Sequence, residues 1–396
     1  MPTGCSDLFE IASTSEVVVA CGGGGVGKTS VAAATGVQIA LEQGGRVLVL
    51  TVDPAKRLAT ALGLGSLGNA LKRVSDDAFV QAGLDKPKGE LWVAMLDMKQ
   101  SWDDLVNRHA PDNATRDKIL SNPLYDSITS RFIQSHDYIA VERLYEEYAS
   151  HKFDLIVVDT PPSRNAMDFL DAPKRMADFL SSRLLRWLIM PYKSKLISMA
   201  SRPFYQIADR ILGSQFLVDI SEFFVAFQSM YDGFKKRAVE VEVLLKGQST
   251  SFIIVTTLEE VPSREAETFV EELGKRKMNL RGIVLNKVLP EYLMDDDTLE
   301  LANRIASDPD SIASKLSLSS TGNKDDTDES LYSTILYEIA GSFLDFHHAS
   351  YNEQVQRAKF EDSGYSTIVL PRLDCDISDL RGLAALTGYI SDETAV

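Results

Sequence analysis

Cysteine is scarce in this sequence, and its three positions lie far apart. Cys5, Cys21 and Cys375 form no C-x-x-C pair among the 396 residues. This spacing suits a protein of a reducing compartment and offers no recognisable zinc knuckle. We therefore expect no structural zinc from this chain alone.

Basic residues and long apolar runs are also in short supply. The chain has 41 Lys and Arg against 57 Asp and Glu, and the resulting net charge of −16 repels phosphate backbones. No apolar run approaches the roughly eighteen residues that cross a bilayer. The N-terminus has no basic segment followed by an apolar stretch. We expect a cytoplasmic protein with no nucleic acid partner and no integral membrane segment.

The sequence does contain enough apolar residues for a large core. With 44% hydrophobic residues, 25% charged residues and no long-period repeat, residues 1–396 favour one elaborated domain, with two closely packed domains as the alternative. Several short runs rich in Val, Ile and Leu show little polar alternation, which is typical of strands buried on both faces. They are Val17–Cys21, Arg46–Val52, Leu91–Leu96, Asp154–Asp159, Phe252–Thr257, Arg281–Asn286 and Ser366–Leu370. With helical patterns between them, these runs predict an α/β fold with a doubly wound, mainly parallel sheet.

The most specific pattern is the glycine-rich run from Gly22 to Thr29. The letters GGGGVGKT fit G-x-x-x-x-G-K-[ST] and lie between the predicted strand Val17–Cys21 and a helical pattern, Thr29–Gln43. In such a loop, backbone N–H groups surround the β- and γ-phosphates, and the following helix presents its positive N-terminal end. Lys28 adds a fixed charge and Thr29 a ligand for Mg²⁺. The pattern predicts a P-loop NTPase that binds a nucleoside triphosphate.

Two aspartates follow apolar runs where a P-loop enzyme needs carboxylates. Asp159 ends the run FDLIVVD and is suited to hold Mg²⁺ through water while sensing the γ-phosphate. Asp53 follows Val52 and is suited to orient or deprotonate an attacking water. Each aspartate also fits a helix N-cap, because Pro161 follows the first closely and Pro54 follows the second directly.

Two stretches, 98–150 and 171–248, are expected to form an inserted helical subdomain. The second carries Met and aromatic residues at helical spacing, and its first part is basic within an acidic chain. This stripe fits an apolar groove for a client helix, the packing of the subdomain onto the sheet, or a basic amphipathic helix on anionic lipid. The segment 307–330 is polar and poor in apolar residues, so we expect a mobile surface loop there.

In order and spacing, these motifs resemble the anion-transporting ATPases of the deviant-Walker-A group. That family comprises the arsenical-pump ATPases and the ATPases that target tail-anchored membrane proteins. The resemblance spans nearly the whole chain and rests on GGVGKT at 24–29, TVDPA at 51–55, DTPP at 159–162 and Asn286 after a late strand. The segments 53–59 and 159–165 look most like the paired ATPases of this type found in actinobacteria.

The resemblance implies a role for each matching residue, with ATP and Mg²⁺ as cofactors. Lys28 and Asp53 are the implied catalytic residues, and Thr29, Asp159 and Asp53 surround the magnesium. Asn286 reads the adenine edge, although its residue type alone also fits a strand-terminal turn. Pro371 belongs to the loop that covers the base. The phosphates contact Gly24, Gly25, Val26, Gly27, Lys28, Thr29 and Ser30.

One departure from the family pattern lies in the phosphate loop. Gly23 stands where the family has a signature lysine, which reaches across a dimer interface to the partner's nucleotide. Without that charge a homodimer is expected to hydrolyse ATP slowly, whereas a heterodimer with a lysine-bearing paralogue keeps one equipped site. Lys56 or Arg57 is a second source of the charge, unless both are solvated cations of a helix face.

A second departure concerns cysteine. Targeting relatives often clamp their dimer with a C-x-x-C zinc site, and this chain has no such pair, so a dimer must form by packing and nucleotide contacts. Arsenical-pump relatives bind metalloid through clustered cysteines, so the scattered cysteines here disfavour an arsenite or anion pump.

Taken together, the motifs predict an ATP-hydrolysing dimeric switch that couples nucleotide state to the binding or targeting of a client, a membrane protein among the candidates. The alternative is a nucleotide-binding regulatory subunit that hydrolyses little ATP and serves a lysine-bearing paralogue. A small-molecule phosphotransferase would need an acceptor site, which no motif marks.

Overall fold

One sheet organises the chain in the computed structural model, which describes residues 4–52, 56–64, 68–131, 133–160, 167–183, 214–319, 326–373 and 377–388. Within these ranges the strand order is β3-β4-β2-β5-β1-β6-β7-β8. All neighbouring strands are parallel except β3, which runs antiparallel to β4. The strands are β1 Val17–Cys21, β2 Arg46–Thr51, β3 Lys72–Arg73, β4 Glu90–Met95, β5 Leu155–Asp159, β6 Thr250–Thr256, β7 Leu280–Val288 and β8 Ser366–Pro371.

Seven of these strands confirm the seven apolar runs predicted from the sequence. The α/β fold with a mainly parallel sheet is likewise confirmed. The eighth strand, β3, was missed because it has two residues, both basic, and therefore shows no apolar pattern.

Helices cover both faces of the sheet. The first half of the chain contributes α1 Gly4–Ser13, α2 Lys28–Glu42, α3 Lys56–Ala61, α4 Asp76–Gln81, α5 Met98–His109, α6 Asn113–Leu120, α7 Pro123–Arg131 and α8 Ile133–Ala149. The second half contributes α9 Met167–Ser181, α10 Ser214–Gln228, α11 Tyr231–Lys246, α12 Glu260–Lys275, a 3₁₀ turn Glu291–Met294, α13 Asp296–Ser307, α14 Pro309–Ser319, α15 Asp326–Glu361 and α16 Leu380–Leu386.

The central strand β1 shows why the strand sequences are apolar without alternation. Val17 and Val19 face one buried cluster, which includes residues of α5, α8 and α11. Val18 and Ala20 face a second cluster, which includes residues of α1, α2 and α16. Because both faces of the strand are covered, every position favours an apolar side chain.

The helices of the two predicted insertions pack on one another. Helix α8 contacts α9 and α11, and α10 contacts α6 and α7. Three aromatic residues of the stripe lie inside this packing: Phe223, Phe227 and Phe234 are 1–5% exposed, and Phe227 stacks on Phe234 with ring centroids 5.1 Å apart. The packing interpretation is confirmed for these residues. The part of the stripe at 184–213 lies outside the described residues.

The expectation of a loop over 307–330 is wrong wherever that segment is described. Helix α14 occupies Pro309–Ser319, and α15 begins at Asp326. Asp308 caps α14, since its side chain accepts a hydrogen bond from the N–H of Ser311 at 3.2 Å, and Pro309 has the fixed φ that suits a first helical position. Ala313 is fully buried against neighbouring helices. Tertiary packing therefore stabilises a polar segment that has little helical pattern of its own.

None of the helices within the described ranges is both long and apolar enough to cross a membrane.

Candidate nucleotide site

The candidate site lies where three parallel strands end side by side. Strand β5 lies between β1 and β2, and its last residue, Asp159, is in register with Ala20 on one side and Thr51 on the other. Ligands of open α/β sheets bind at the carboxyl ends of the strands. The phosphate loop leaves β1 at this edge, so strand order brings the loop and Asp159 together.

Backbone conformation in the loop explains its glycines. Gly25 and Gly27 have φ of 79° and 94°, in the left-handed region that favours glycine. A Cβ atom at Gly27 would lie 2.2 Å from Nδ2 of Asn286, whereas one at Gly24 or Gly25 would have no neighbouring atom within 4 Å. The loop thus packs tightly against the protein at Gly27 and presents Gly24 and Gly25 to open space.

Helix α2 starts directly at the end of this loop. Its N-cap residue, Gly27, has no side chain that could accept from the first turn, so backbone N–H groups there are suited to an anion. Lys28, only 5% exposed, donates from Nζ to the carbonyl oxygen of Gly23 at 2.6 Å, which fixes its ammonium group against the loop. Ser30 lies in the same first turn.

A buried carboxylate connects the helix to a neighbouring strand. The Oδ2 atom of Asp159 accepts hydrogen bonds from Oγ1 of Thr29 at 2.6 Å and from Oγ1 of Thr51 at 2.8 Å. Asp159 and Thr51 are both fully buried. Sequence reasoning missed Thr51, although a polar residue that ends an otherwise apolar strand is a usable signal.

Strand β7 supports the loop from the other side. Asn286 is 4% exposed and donates from Nδ2 to the carbonyl oxygen of Val26 at 2.8 Å, and its Oδ1 is buried without a hydrogen bond to any described group. Lys287 donates from Nζ to the carbonyl oxygen of Gly25 at 3.2 Å. Asn286 is therefore part of the loop's support, and Lys287 is a second support that the sequence did not single out.

A carboxylate occupies the surroundings of Gly23. A Cβ atom added at Gly23 would lie 2.3 Å from Oε2 of Glu265, an exposed side chain of α12. A lysine at this position would therefore start beside a negative charge, and the flexible carboxylate would have to move to admit it.

Cys21, the last residue of β1, has an unreactive thiol. Burial raises the pKa of its thiol to about 12, and the nearby Lys28 ammonium lowers it by a smaller amount. The thiol is therefore protonated near neutral pH and unsuited to binding a metalloid. Cys21 is thus a buried strand residue, as expected.

These groups fit a nucleoside triphosphate with Mg²⁺. The open Gly24–Gly25 backbone and the start of α2 suit the phosphates, and Lys28 supplies a positive charge. Hydroxyl and carboxylate oxygens of Thr29 and Asp159 are the hard ligands that Mg²⁺ prefers.

Comparison with known proteins agrees with this geometry. A family model described as anion-transporting ATPase matches residues 15–309, a span that contains the phosphate loop, Asp159 and Asn286. The chain belongs to the anion-transporting ATPase family. Members of this family are ATPases, so the chain is a P-loop ATP hydrolase that binds ATP.

Individual relatives are distant. A protein of Aquifex aeolicus that carries the provisional name arsenical pump-driving ATPase 2 is 25% identical over 282 residues, 69% of this chain and 81% of the relative. ATPase GET3 of Lachancea thermotolerans is 25% identical over 295 residues, 72% of this chain and 75% of the relative. The arsenical pump-driving ATPase of Acidiphilium multivorum is 23% identical over 281 residues, 71% of this chain but 41% of that longer protein.

Of the two remaining residues implied by the resemblance to the anion-transporting ATPases, the structure describes Pro371 but not Asp53. Asp53 lies outside the described residues, two positions after the end of β2. Pro371 ends β8 in register with Val288, at the same edge of the sheet as Asn286, and the N–H of Arg372 donates to the carbonyl oxygen of Val288 at 2.9 Å. Their roles stay predictions.

Proposed function

We propose that this anion-transporting ATPase family member works as a dimeric switch that binds a client protein in one nucleotide state and releases it in another. The observation that carries the proposal is the Asp159 carboxylate, which joins α2 to β2 through Thr29 and Thr51. If this carboxylate senses Mg²⁺ and the γ-phosphate, a shift in its position changes its hydrogen bonds to both α2 and β2.

The coupling follows from chain connectivity. Strand β2 leads to residues 53–55 and then α3, and β5 leads through 160–166 to α9. A small displacement of Asp159 therefore acts on the residues that precede α3 and on those that precede α9. Because α9 packs on α8 and α11, its displacement is transmitted to the helical subdomain.

In the proposed reaction, each residue of the site has a defined task. The loop backbone from Gly24 to Ser30 binds the phosphates, Lys28 stabilises charge on the transferring phosphoryl group, and Asp53 orients the attacking water. Thr29 and Asp159, with Asp53 near, would hold Mg²⁺, which supplies a positive charge at the phosphate oxygens. Asn286 and Pro371 contact the base.

The client that we propose is a protein segment with an apolar helix, taken up by the helical subdomain. Supporting evidence comes from Phe179 on α9, which is 43% exposed. Its ring centroid lies 6.0 Å from that of the half-buried Phe224 on α10. Aromatic side chains of this kind suit an adaptable apolar contact.

A second candidate function is that of a regulatory subunit that turns over little ATP. The supporting observation is Gly23 with Glu265 beside it, which places a negative charge where relatives have the signature lysine. In a heterodimer, a lysine-bearing paralogue would then complete the site of this chain. A metalloid pump is less favoured because the Cys21 thiol is buried and protonated.

Steady-state ATP turnover separates these functions. The purified chain is assayed alone and mixed with its lysine-bearing paralogue, with Asp53→Asn in this chain as the test of chemistry. A mixture much faster than either chain, slowed by Asp53→Asn, supports the heterodimeric switch. Full activity of a homodimer alone would remove the need for the paralogue. Nucleotide binding with no turnover in any mixture would favour the regulatory subunit.

A further inference from the structure

Helix α15 carries more exposed large hydrophobic side chains than any other described element. Of sixteen large hydrophobic side chains that are exposed within the described ranges, eight lie on this 36-residue helix. Five of them share one face, and we call them the α15 stripe. They are Leu331, Tyr332, Ile335, Ile339 and Phe346, with exposed fractions of 57%, 45%, 44%, 60% and 46%.

The stripe is a continuous strip along the helix. With 3.6 residues per turn, the five positions fall within a sector of about 100° over roughly four turns. The side of α15 that packs on its neighbours includes Ser333, which donates a hydrogen bond to Asp310 of α14, and Ala340, which is 2% exposed. The other three exposed side chains, Tyr337, Tyr351 and Val355, lie outside the stripe. Helix α15 is therefore held in place by α13 and α14 on one side and presents the stripe on the other.

Such a strip needs an occupant, because exposed apolar patches of this kind mark interaction sites. The family match ends at residue 309, so α15 lies beyond the part of the chain that the family model covers. The stripe is also on a different helix from Phe179 of α9 and Phe224 of α10, which we propose for the client.

Charge decides which occupant fits. Residues 289–361 contain fifteen Asp and Glu against five Lys and Arg, a net charge of −10 out of −16 for the whole chain. Two exposed carboxylates, Glu338 and Asp345, lie seven residues apart along one edge of the stripe. Anionic lipid would be repelled here, and a second copy of α15 would bring carboxylates toward carboxylates.

We infer that the α15 stripe docks a basic amphipathic helix of a partner protein. The apolar face of the partner helix covers Ile335, Ile339 and Phe346, and its flanking Lys or Arg side chains meet Glu338 and Asp345. Such a helix-on-helix contact combines apolar burial with charges that select a basic partner over an acidic one.

The docking surface is linked to the nucleotide site by a short path. Glu353 of α15 accepts a hydrogen bond from the N–H of Leu289 at 2.9 Å. Leu289 follows Lys287 by two residues, and Lys287 donates to the phosphate-loop carbonyl of Gly25. A partner on α15 thus sits on a helix that contacts the strand supporting the loop.

The test is direct binding to the full chain, without nucleotide, so that its result does not depend on the proposed function. The probe is a fluorescein-labelled 18-residue peptide of Leu and Lys with helical periodicity, followed by fluorescence anisotropy. A scrambled peptide of the same composition controls for charge alone. We expect the periodic peptide to bind at least tenfold tighter than the scrambled one, and its affinity to fall as salt rises.

Matched variants locate the contact. Ile335→Ser with Ile339→Ser should weaken binding at least tenfold. Val239→Ser with Val243→Ser, an equally spaced pair on α11 that is 57% and 67% exposed, should change it less than twofold. Glu338→Gln with Asp345→Asn should weaken binding severalfold and flatten its salt dependence. This pair leaves the apolar residues intact and so guards against a misfolded first variant.

Three results would overturn the inference. One is equal binding of the periodic and scrambled peptides. Another is an equal loss of peptide affinity in the α15 and α11 variants. The third is light scattering that shows a dimer dissociated by the α15 variant but not by the α11 variant, with peptide affinity unchanged, which would assign the stripe to a contact between two copies.

Discussion

Replacing Thr51 by Val tests whether the Asp159 network carries both stability and magnesium binding. The substitution keeps the shape of the side chain and suits a strand, so it removes little beyond the hydroxyl. In the native protein that hydroxyl donates to Oδ2 of Asp159 at 2.8 Å, in a fully buried setting. The bond from Thr29 to the same oxygen is retained in the variant.

The expected loss of stability follows from the charged acceptor. A hydrogen bond to a charged group contributes about 1.5–3 kcal/mol to the free energy of unfolding, against about 0.5–1.5 kcal/mol for a neutral one. If the urea dependence is near 3 kcal/mol per molar, Thr51→Val should lower the unfolding midpoint by about 0.5–1 M.

Thr35 provides the matched control. It is 1% exposed, and its hydroxyl donates to the neutral carbonyl of Val31 within α2 at 2.8 Å. Thr35→Val thus removes a buried hydroxyl of the same kind with no carboxylate involved. Its midpoint should fall by less than half as much as that of Thr51→Val.

Function gives a second readout. Partners that orient a metal ligand typically contribute 10–100-fold to metal affinity or activity. The Mg²⁺ concentration that gives half-maximal ATP turnover should therefore rise about tenfold in Thr51→Val and stay unchanged in Thr35→Val. If both variants lose equal stability and keep the native Mg²⁺ dependence, the Asp159 network has no part in metal binding.

Three further predictions follow from single contacts. Gly27→Ala should lower the melting temperature, because φ is 94° and the new Cβ would lie 2.2 Å from Nδ2 of Asn286. Gly24→Ala, with no atom within 4 Å of its Cβ, should keep the native melting temperature, and equal melting temperatures of the two variants would contradict the packing. Phe234→Ala should lower the free energy of unfolding by about 3–5 kcal/mol in urea titrations, because it removes a 1%-exposed ring that packs on Phe227. A loss below about 1 kcal/mol would show that the neighbouring side chains fill the cavity without an energetic penalty. Burial, followed by the charges of Arg237 and Arg108, lowers the pKa of His109 from 6.5 to about 4. The unfolded state therefore binds a proton that the folded state excludes, so the free energy of unfolding should fall as the pH drops from 6.5 to 4. The drop in melting temperature over that range should be smaller in His109→Gln, and an unchanged drop would show that other groups cause it.

Local patterns in the sequence were sufficient for seven of the eight strands and for the phosphate loop. A strand buried on both faces requires apolar residues at every position, so the run Val17–Cys21 is readable without any knowledge of its neighbours. The glycines of the loop are likewise set by local backbone conformation, as the φ of Gly27 shows. The placement of Asp159 beside the loop was also predictable, because parallel strands end at one edge.

Contacts between distant parts of the chain were not predictable in this way. Thr51 binds a residue 108 positions away, and Lys287 binds a carbonyl 262 positions away. Glu265 reaches Gly23 only because α12 follows β6, the strand that pairs with β1. Thr51 belongs to the TVDPA motif, but neither its partner nor those of Lys287 and Glu265 could be read from the sequence, since each contact depends on strand order.

The sequence by itself therefore determined the elements whose physics is local: the buried strands, the phosphate loop and its helix. Only the tertiary structure decided which polar groups meet at the strand ends, and that the aromatic residues Phe223, Phe227 and Phe234 are core. It also replaced the expected loop by helix at Pro309–Ser319 and from Asp326 onward, and left the α15 stripe uncovered. The physical reason is that burial depends on which elements pack together, and packing is a property of the whole fold.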